Sequence, residues 1–284
     1  MHTLIHKAWG TSENEHWFPG PQPVSIERQH FSILKKNEYL VCHKMDGTRH
    51  LLVSFEIDGV KKVALMNRAF QTTYLSYTLP KDTILDGELV KRNDGKDVFL
   101  VHDAVMIRGE DVKHLSLVER LDKARTLVRS IMSKTPFVTL VKTMIPLSDI
   151  GSLKDEPYET DGLIMTPIHE PVRSGTHETM FKWKPRHRIT IDFMIRNGNE
   201  LYIQERGRLM HEAFLYGTRN MIPDGTIVEC EYSDNGWSIV KLRDDKTYPN
   251  NRRTFLRTLV NLREDIQLKE FIDLFQNGDG SKGN

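Results

Sequence analysis

A lysine, an aspartate, a glycine and an arginine interrupt an apolar run near the start of the chain. In YLVCHKMDGTRHLLVSF, Lys44, Asp46 and Arg49 stand where the flanking residues predict a buried strand. A lysine amine acts as a covalent nucleophile only in its uncharged form, which nearby cations and removal from water favour. The alternative is a surface lysine whose aliphatic stem packs on the sheet. The run therefore allows two interpretations of Lys44.

Further charged residues occur at spacings that suit a polyphosphate ligand. In FKWKP, Lys182 and Lys184 are two positions apart, so on a strand they face the same side. In DGE, Asp86 and Glu88 form a carboxylate pair on a predicted strand, and such a pair can bind ribose hydroxyls or a divalent metal. In DGLI, Asp161 is a further acidic residue beside an apolar surface on which a base could lie flat. DG dipeptides also mark ordinary turns, and the RDDK run at 243–246 is by itself an ordinary charge run. None of these units is decisive alone.

The overall charge limits the classes of function. The chain has 284 residues, with 40 Lys and Arg against 39 Asp and Glu, a formal net charge of +1. This near-neutral balance argues against a purely electrostatic nucleic-acid binder. Two local basic clusters, KWKPRHR at 182–188 and NNRRTFLR at 250–257, could contact nucleic acid or be solvated faces.

The cysteines and the apolar runs indicate an intracellular protein. Cys42 and Cys230 are the only cysteines, too few for a disulfide framework, and no Cys/His spacing indicates a metal site. No stretch approaches about 18 consecutive apolar residues, and the first ten residues lack the features of a secretory signal. We therefore expect a reducing compartment and no membrane segment.

The hydrophobic pattern predicts an α+β fold. Strand signals dominate the first two thirds of the chain without regular β-α alternation. One clear helix interrupts them, because Ser116 and Glu119 form a capping box ahead of an apolar stripe. The first 25 or so residues suggest an irregular arm. The predicted strands are Tyr39–His43, His50–Ile57, Lys62–Met66, Thr83–Val90, Val98–Met106, Phe137–Met144, Gly162–Ile168 and Met180–Lys184.

The pattern changes after about residue 188, which predicts two domains, 1–188 and 189–284. Two hairpins are expected beyond this point, around the Asn197-Gly198 turn and around Asp234-Asn235-Gly236. Short strands with tight turns suit a small closed barrel such as an OB-fold. Residues 251–276 are expected to be helical, and 278–284 to be a frayed tail.

The order of the units, rather than any one of them, resembles a known superfamily. KxDGxR, then DGE, DGL, KxK and RxDK follow one another as in the covalent nucleotidyltransferases, which include DNA ligases, RNA ligases and mRNA capping enzymes. Trp237 followed by RDDKTYPN, together with KWKPRHRITIDF, is similar to the mRNA guanylyltransferase pattern. The lead-in GPQPVSIER at 20–28 resembles capping enzymes of large DNA viruses, chlorovirus type.

The resemblance implies a fold and a two-step reaction. It implies a nucleotidyltransferase domain, with ATP-grasp-like antiparallel sheets and helices, and an OB-fold domain that closes over the nucleotide. Lys44 would attack the α-phosphorus of GTP with Mg²⁺ or Mn²⁺ present and release pyrophosphate. The lysyl–GMP intermediate would then be attacked by RNA with a 5′-diphosphate end, giving a GpppN cap.

The resemblance also assigns residues to the sugar and the phosphates. Arg49 and Arg68 match positions that hold the ribose and a neighbouring phosphate, and Asp46 is counted with the nucleotide-binding positions of the lysine motif. Lys182 and Lys184 match the cations on the α-phosphate.

The carboxylates and the terminal motif are assigned in the same way. Glu88 matches a ribose- or metal-binding carboxylate, and Asp161 matches an acid near the metal and the lysine amine. Arg243, Asp245 and Lys246 match residues that close over the β- and γ-phosphates.

Base selection is implied for three further residues. Lys142 matches a lysine that reaches guanine O6, although a solvated strand lysine is an alternative. Ile164 matches an apolar residue that stacks on one face of the base. His102 departs from the family, because it stands where an aromatic residue usually covers the other face; a hydrogen-bonded core histidine is the alternative.

Two rival functions and several partners stay open at this stage. An ATP-dependent ligase would share the Lys44 chemistry, and a non-enzymatic RNA-binding scaffold would not need it. Glu229 and Glu231 superficially resemble a metal pair, but are interpreted as strand structure.

An RNA triphosphatase, a cap methyltransferase or an RNA polymerase is expected as a separate partner. The chain is expected to be a monomer that is located in the nucleus or in a cytoplasmic viral factory.

Overall fold

The computed structural model describes residues 2–12, 17–76, 79–131, 137–217, 222–244 and 246–276. They form two compact units. The first comprises the described residues of Met1–Val24, Ser32–Lys182 and Ile272–Asn284, and the second comprises Ser25–Phe31 and Trp183–Phe271. The assignment of functions to domains 1–188 and 189–284 stays a prediction.

The second unit begins ahead of the predicted boundary at residue 188 because Trp183 packs within it. The Trp183 indole N–H donates to the Ile266 carbonyl at 2.8 Å. Its ring meets Phe271 edge-on, with ring centroids 5.8 Å apart.

Strands outnumber helices, so the predicted α+β class is confirmed. The helices are α1 (His2–Trp9), α2 (Phe31–Lys36), α3 (Leu117–Ile131), α4 (Arg252–Glu264) and α5 (Leu268–Gln276). The strands are β1 (Gln22–Ser25), β2 (Tyr39–Met45), β3 (Thr48–Ile57), β4 (Val60–Asn67), β5 (Thr72–Leu75), β6 (Thr83–Lys91), β7 (Asp97–Ile107), β8 (Glu110–Asp111), β9 (Val138–Val141), β10 (Ile145–Pro146), β11 (Thr160–Pro167), β12 (Thr176–Trp183), β13 (Thr190–Arg196), β14 (Glu200–Glu205), β15 (Arg208–Phe214), β16 (Ile227–Ser233) and β17 (Gly236–Leu242).

A seven-stranded sheet forms the larger core of the first unit. Its order is β5-β4-β3-β6-β7-β8, and β9 pairs in parallel with β7. Alternate residues of β3 face opposite sides, so Leu52 packs with Leu127 of α3 while Leu51 packs with Ile5 of α1. Two helices therefore cover the two faces of one sheet.

A five-stranded sheet in the first unit carries the lysine motif. Its order is β1-β12-β11-β2-β10. The central pair β2–β11 is antiparallel, and the partner of Lys44 is Gly162. This sheet brings the lysine motif, the DGL motif and the KxK strand side by side.

The second unit is built on an antiparallel sheet of order β15-β14-β13-β16-β17. Phe193 of β13 and Trp237 of β17 lie in its core together with Phe255 and Leu262 of α4. The two predicted hairpins are present as β13–β14 and β16–β17. Closure into an OB-fold barrel stays a prediction.

The local predictions for the helices met different outcomes. The α3 capping box is confirmed, since the Ser116 amide donates to Glu119 at 2.9 Å and the Glu119 amide donates to the Ser116 hydroxyl at 3.3 Å. The prediction of an irregular N-terminal arm is wrong for residues 2–9, because these residues form α1. The predicted helical segment is divided at Asp265, whose φ of 44° ends α4. No helix among the described residues has the length and apolar character needed to cross a bilayer.

Candidate active site

Lys44 and Asp161 meet on neighbouring strands. The Lys44 ammonium lies 2.8 Å and 3.0 Å from the two carboxylate oxygens of Asp161. Strand pairing is irregular between Thr160 and Gly162, so Asp161 sits at a β-bulge, a feature that re-aims a side chain. The two side chains are 25% and 12% exposed. The pair is therefore sheltered but reachable by a ligand.

Arg49 is held by Asp86, a pairing that the sequence did not indicate. Its guanidinium donates to both Asp86 oxygens, at 2.9 Å and 2.6 Å, and to the Pro21 carbonyl at 2.6 Å. The Phe18 ring lies 5.1 Å away. Burial alone would raise the pKa of Asp86, but Arg49 and then His102 outweigh it and hold that pKa below its usual value.

The glycines of KxDG and DGE are required by close packing rather than by turns. A β-carbon on Gly87 would lie 2.6 Å from the Phe99 ring and 2.7 Å from the Leu100 carbonyl oxygen. A β-carbon on Gly47 would lie 2.6 Å from the Leu89 carbonyl oxygen. Both motifs therefore lie where only glycine lets neighbouring strands approach.

Glu88 lies among the charged groups of the site. Burial raises the pKa of its carboxyl, against the opposing effects of the cations Lys142, Lys44 and Arg49, and the nearby Asp161 carboxylate raises it further. A divalent cation between two carboxylates would relieve that repulsion. Among the described residues no group of three or more metal-ligating side chains is present. Because Mg²⁺ often uses only one or two carboxylates plus substrate phosphates, Glu88 and Asp161 fit such an ion.

Lys142 lies immediately after β9 and is 4% exposed. The predicted strand Phe137–Met144 is shorter, since only Val138–Val141 pairs with β7. The Lys142 amide donates to the Val101 carbonyl at 2.8 Å. The alternative of a solvated strand lysine is therefore wrong.

Ile164 lies opposite Cys42 in the β2–β11 ladder. Residues directly opposite in an antiparallel pair lie on the same face of the sheet. Ile164 therefore neighbours Cys42 on one face of this sheet.

His102 lies beside Asp86, with its Nε2 atom 3.3 Å from a carboxylate oxygen. Its side chain is 18% exposed. Burial lowers the pKa of His102 to about 4, although the Asp86 charge acts in the opposite direction. The ring is therefore neutral near pH 7. The His102 ring therefore contacts the buried Asp86 while part of its surface stays exposed.

The lowered pKa of His102 predicts a pH-dependent stability. Between pH 6.5 and 4 the unfolded chain binds a proton at this histidine and the folded chain does not, so falling pH favours unfolding. Between pH 7 and pH 4, we expect the free energy of unfolding of His102→Gln to fall by up to about 3 kcal/mol less than that of wild type. Urea unfolding at a series of pH values measures this, with His114→Gln, an exposed histidine, as the control. Identical pH slopes for wild type and His102→Gln would contradict it.

The remaining predicted residues of the first unit are arranged around this centre. The Arg68 guanidinium donates to the Gln22 side chain at 2.8 Å and contributes to the low pKa of Asp86. Lys182 lies on β12, the strand next to β11. Asp46 is exposed just after β2.

In the second unit, Asp192 forms ion pairs with Arg243 and Lys246 of the terminal motif. It is 5% exposed and accepts hydrogen bonds from Arg243 at 3.0 Å and from Lys246. The Asn250 side-chain oxygen accepts from the Asp192 amide at 2.9 Å. Arg243 also donates to Glu229 at 3.3 Å, and Glu229 lies on β16, in agreement with its interpretation as strand structure. Lys184 follows β12 in this unit, and Asp245 lies outside the described residues.

Two family models match the sequence. The model described as "mRNA capping enzyme, catalytic domain" matches residues 1–186, and the one described as "mRNA capping enzyme, C-terminal domain" matches residues 169–272. Together they span both structural units.

Individual relatives agree with these matches. The mRNA-capping enzyme subunit alpha of Schizosaccharomyces pombe is 30% identical, over 96% of this chain and 83% of its own length. The mRNA-capping enzymes of Danio rerio and Mus musculus are 29% and 27% identical over 90% of this chain, which spans 50% of each. Among solved structures, the ATP-dependent DNA ligase of bacteriophage T7 in complex with ATP is 12% identical, with a TM-score of 0.43, over 79% of this chain and 98% of that one.

Proposed function

This chain belongs to the mRNA capping enzyme family, and from that premise we propose that it is the guanylyltransferase that forms a covalent lysyl–GMP intermediate on Lys44. The observation that carries the proposal is the sheltered Lys44–Asp161 pair, with Nζ 2.8 Å from the carboxylate. A lysine held in this way, within electrostatic reach of Glu88, matches the needs of phosphoryl transfer better than those of a surface lysine.

The reaction consists of two displacements at the same phosphorus. The Lys44 nitrogen forms a bond to the α-phosphorus of GTP, the bond to the β-phosphate oxygen breaks, and the electron pair leaves with pyrophosphate. The 5′-diphosphate end of an RNA then displaces Lys44 and completes the GpppN cap. Division into two displacements lets one set of cations stabilise the charge in both steps.

The surrounding residues receive roles in the first displacement. Asp161 orients the Lys44 nitrogen and is its nearest acceptor for the proton that must leave as the N–P bond forms. Glu88 and Asp161 would hold a Mg²⁺ or Mn²⁺ ion, which when bound neutralises charge on the phosphates. Lys182 and Lys184 are assigned to the α-phosphate.

Sugar and phosphate binding completes the assignment. Arg49 and Arg68 are assigned to the ribose and a neighbouring phosphate. Arg243 and Lys246 are assigned to the β- and γ-phosphates, where they would exchange the Asp192 carboxylate for phosphate oxygens.

Guanine is selected through Lys142, Ile164 and His102. A buried ammonium can donate a hydrogen bond to the O6 atom of guanine, whereas adenine presents an amine donor at the same position and cannot accept one. Ile164 would cover one face of the base and the neutral His102 ring the other.

The partners, oligomeric state and location are inferred from the family rather than from any contact in this chain. An RNA triphosphatase would supply the diphosphate end, a methyltransferase would act on the cap, and an RNA polymerase could bring the transcript. The chain would act as a monomer in the nucleus or a cytoplasmic viral factory. The viral affinity rests on GPQPVSIER alone; the relatives described above are fungal and animal.

The proposal is tested by incubating the protein with Mg²⁺ and α-labelled GTP or α-labelled ATP. We expect label from GTP to become attached to the polypeptide, and ATP to label it at least about tenfold less, because adenine lacks the O6 acceptor. Denaturing electrophoresis measures the attached label. Labelling by ATP alone would support a ligase instead, and no labelling by either nucleotide would support a non-enzymatic scaffold.

A further inference from the structure

We propose that Gln22 is a positioning residue for the nucleotide, because its side-chain amide fixes the Arg68 guanidinium without neutralising its charge. The inference rests on the proposed function, in which Arg68 is assigned to the ribose and a neighbouring phosphate. It gives a role to a residue of the GPQP stretch at 20–23, which the mechanism above does not use.

The contact that carries the inference is a hydrogen bond between two side chains. The Arg68 guanidinium donates to the Gln22 side-chain oxygen at 2.8 Å. The Gln22 side-chain nitrogen donates in turn to the Gly20 carbonyl at 3.2 Å. An amide has one accepting end and one donating end, so the bond to Gly20 directs the accepting end toward the cation.

Gln22 is itself fixed by strand pairing. It is the first residue of β1, which pairs with β12, and its backbone amide donates to the Gly175 carbonyl at 2.8 Å. Lys182, which is assigned to the α-phosphate, lies on the same β12 strand. Because backbone bonds hold position 22, a change of its side chain should leave the strand in place.

The same stretch is fitted closely against a second arginine of the site. The Pro21 carbonyl accepts from the Arg49 guanidinium at 2.6 Å. A β-carbon on Gly20 would lie 2.7 Å from a guanidinium nitrogen of Arg49 and 2.5 Å from the Phe18 ring. Residues 20–22 therefore place one neutral acceptor against each of two arginines.

The backbone that carries Arg68 is ordered by its own turn. The Asn67 side-chain oxygen accepts hydrogen bonds from the amides of Ala69 and Gln71, both at 3.0 Å. This turn joins β4 to β5 and leaves the long side chain of Arg68 with several rotatable bonds, whose freedom costs free energy when a ligand is bound. The bond to Gln22 fixes the end of that side chain before the nucleotide arrives.

The neutral character of the Gln22 amide suits this role. The charge of Arg49 is balanced by the Asp86 carboxylate, whereas Arg68 forms no ion pair with a described residue. A carboxylate at position 22 would form a charge-assisted bond to Arg68 and would repel phosphate oxygens. An amide leaves the positive charge available for an anionic ligand.

The experiment measures equilibrium binding of GTP to the full chain without divalent metal, so that no transfer takes place. Gln22→Met keeps the length of the side chain but removes the acceptor, and should raise the Kd by about fivefold. Gln22→Glu keeps an acceptor but adds a negative charge, and should raise the Kd by about twentyfold at low salt. The difference between the two variants should shrink at high salt, because dissolved ions screen the added charge.

A double-mutant cycle and a matched glutamine separate this role from a structural one. In an Arg68→Ala background, Gln22→Met should have no further effect on the Kd for GTP. Gln204→Met changes a half-buried glutamine on β14 in the second unit, and should leave the Kd unchanged. The inference would be overturned if Gln22→Met or Gln22→Glu bound GTP as tightly as wild type, or if the full effect of Gln22→Met persisted in the Arg68→Ala background.

Failure of this inference and failure of the proposed function give different results. If the wild type forms no GMP adduct while Gln22→Met still weakens GTP binding through Arg68, the transfer chemistry is wrong and the role of Gln22 holds. If the adduct forms normally and Gln22→Met binds GTP like wild type, the guanylyltransferase holds and the role of Gln22 is wrong.

Discussion

Replacing Lys44 with alanine should abolish covalent labelling by GTP, a loss of at least about 10³-fold. The reason is that the Lys44 nitrogen, 2.8 Å from Asp161, is the proposed nucleophile, and alanine has no amine to replace it. Lys44→Arg should fail equally, because a guanidinium keeps the positive charge but is not a usable nucleophile. Labelling with α-labelled GTP and Mg²⁺, followed by peptide mapping of the wild-type adduct, measures both effects.

A matched lysine controls for the loss of charge. Lys62 is exposed, and its ammonium lies 5.5 Å from the centre of the Tyr74 ring. Lys62→Ala should keep wild-type labelling. GTP binding by Lys44→Ala should persist, since the cations that the proposal assigns to the phosphates are untouched. Covalent guanylate on the Lys44→Ala protein would contradict the proposed mechanism.

The strands that carry the site could be predicted from the sequence because their apolar runs are long. The predicted strand Thr83–Val90 lies within β6, and the predicted strand Tyr39–His43 lies within β2. The α3 helix was equally evident, because its capping box is a local interaction between Ser116 and Glu119. Local patterns of this kind need no knowledge of what packs against them.

Other elements depend on tertiary contacts and were missed for that reason. Helix α1, HTLIHKAW, has no acidic residue in its first turn, and Ile5 and Trp9 pack on the seven-stranded sheet. Packing of an amphipathic face stabilises most helices this short more than propensity does. The early end of β9, which leaves Lys142 outside the strand, likewise follows from its pairing with β7.

The site illustrates the same limit at the level of side chains. The sequence indicated the charges of Arg49 and Glu88, but the partner of Arg49 is Asp86, two residues before Glu88. Register between β3 and β6 decides this, because Arg49 is opposite Glu88 and Asp86 is its diagonal neighbour. The pairing of Asp192 with Arg243 and Lys246 is equally invisible in a sequence, since it depends on how β13 and the segment after β17 meet.

The second large effect is expected at Asp161. Asp161→Asn keeps the shape of the side chain but removes the carboxylate that accepts two hydrogen bonds from Lys44. We expect the rate of adduct formation at saturating GTP to fall by about 10²-fold, because proton transfer and orientation of the nitrogen are both impaired. Rapid-quench measurement of the adduct at several GTP concentrations separates this rate from GTP affinity.

A second aspartate tests whether the effect belongs to the site. Asp122 forms an ion pair with Arg125 at 2.6 Å, but its side chain is 66% exposed, and such pairs contribute little to stability. Asp122→Asn should therefore label like wild type. If Asp161→Asn changed only the apparent GTP affinity and left the saturated rate intact, Asp161 would act in ligand binding alone. The Lys44–Asp161 pair would then be a resting contact rather than part of the displacement, and the nitrogen would need another acceptor for its proton.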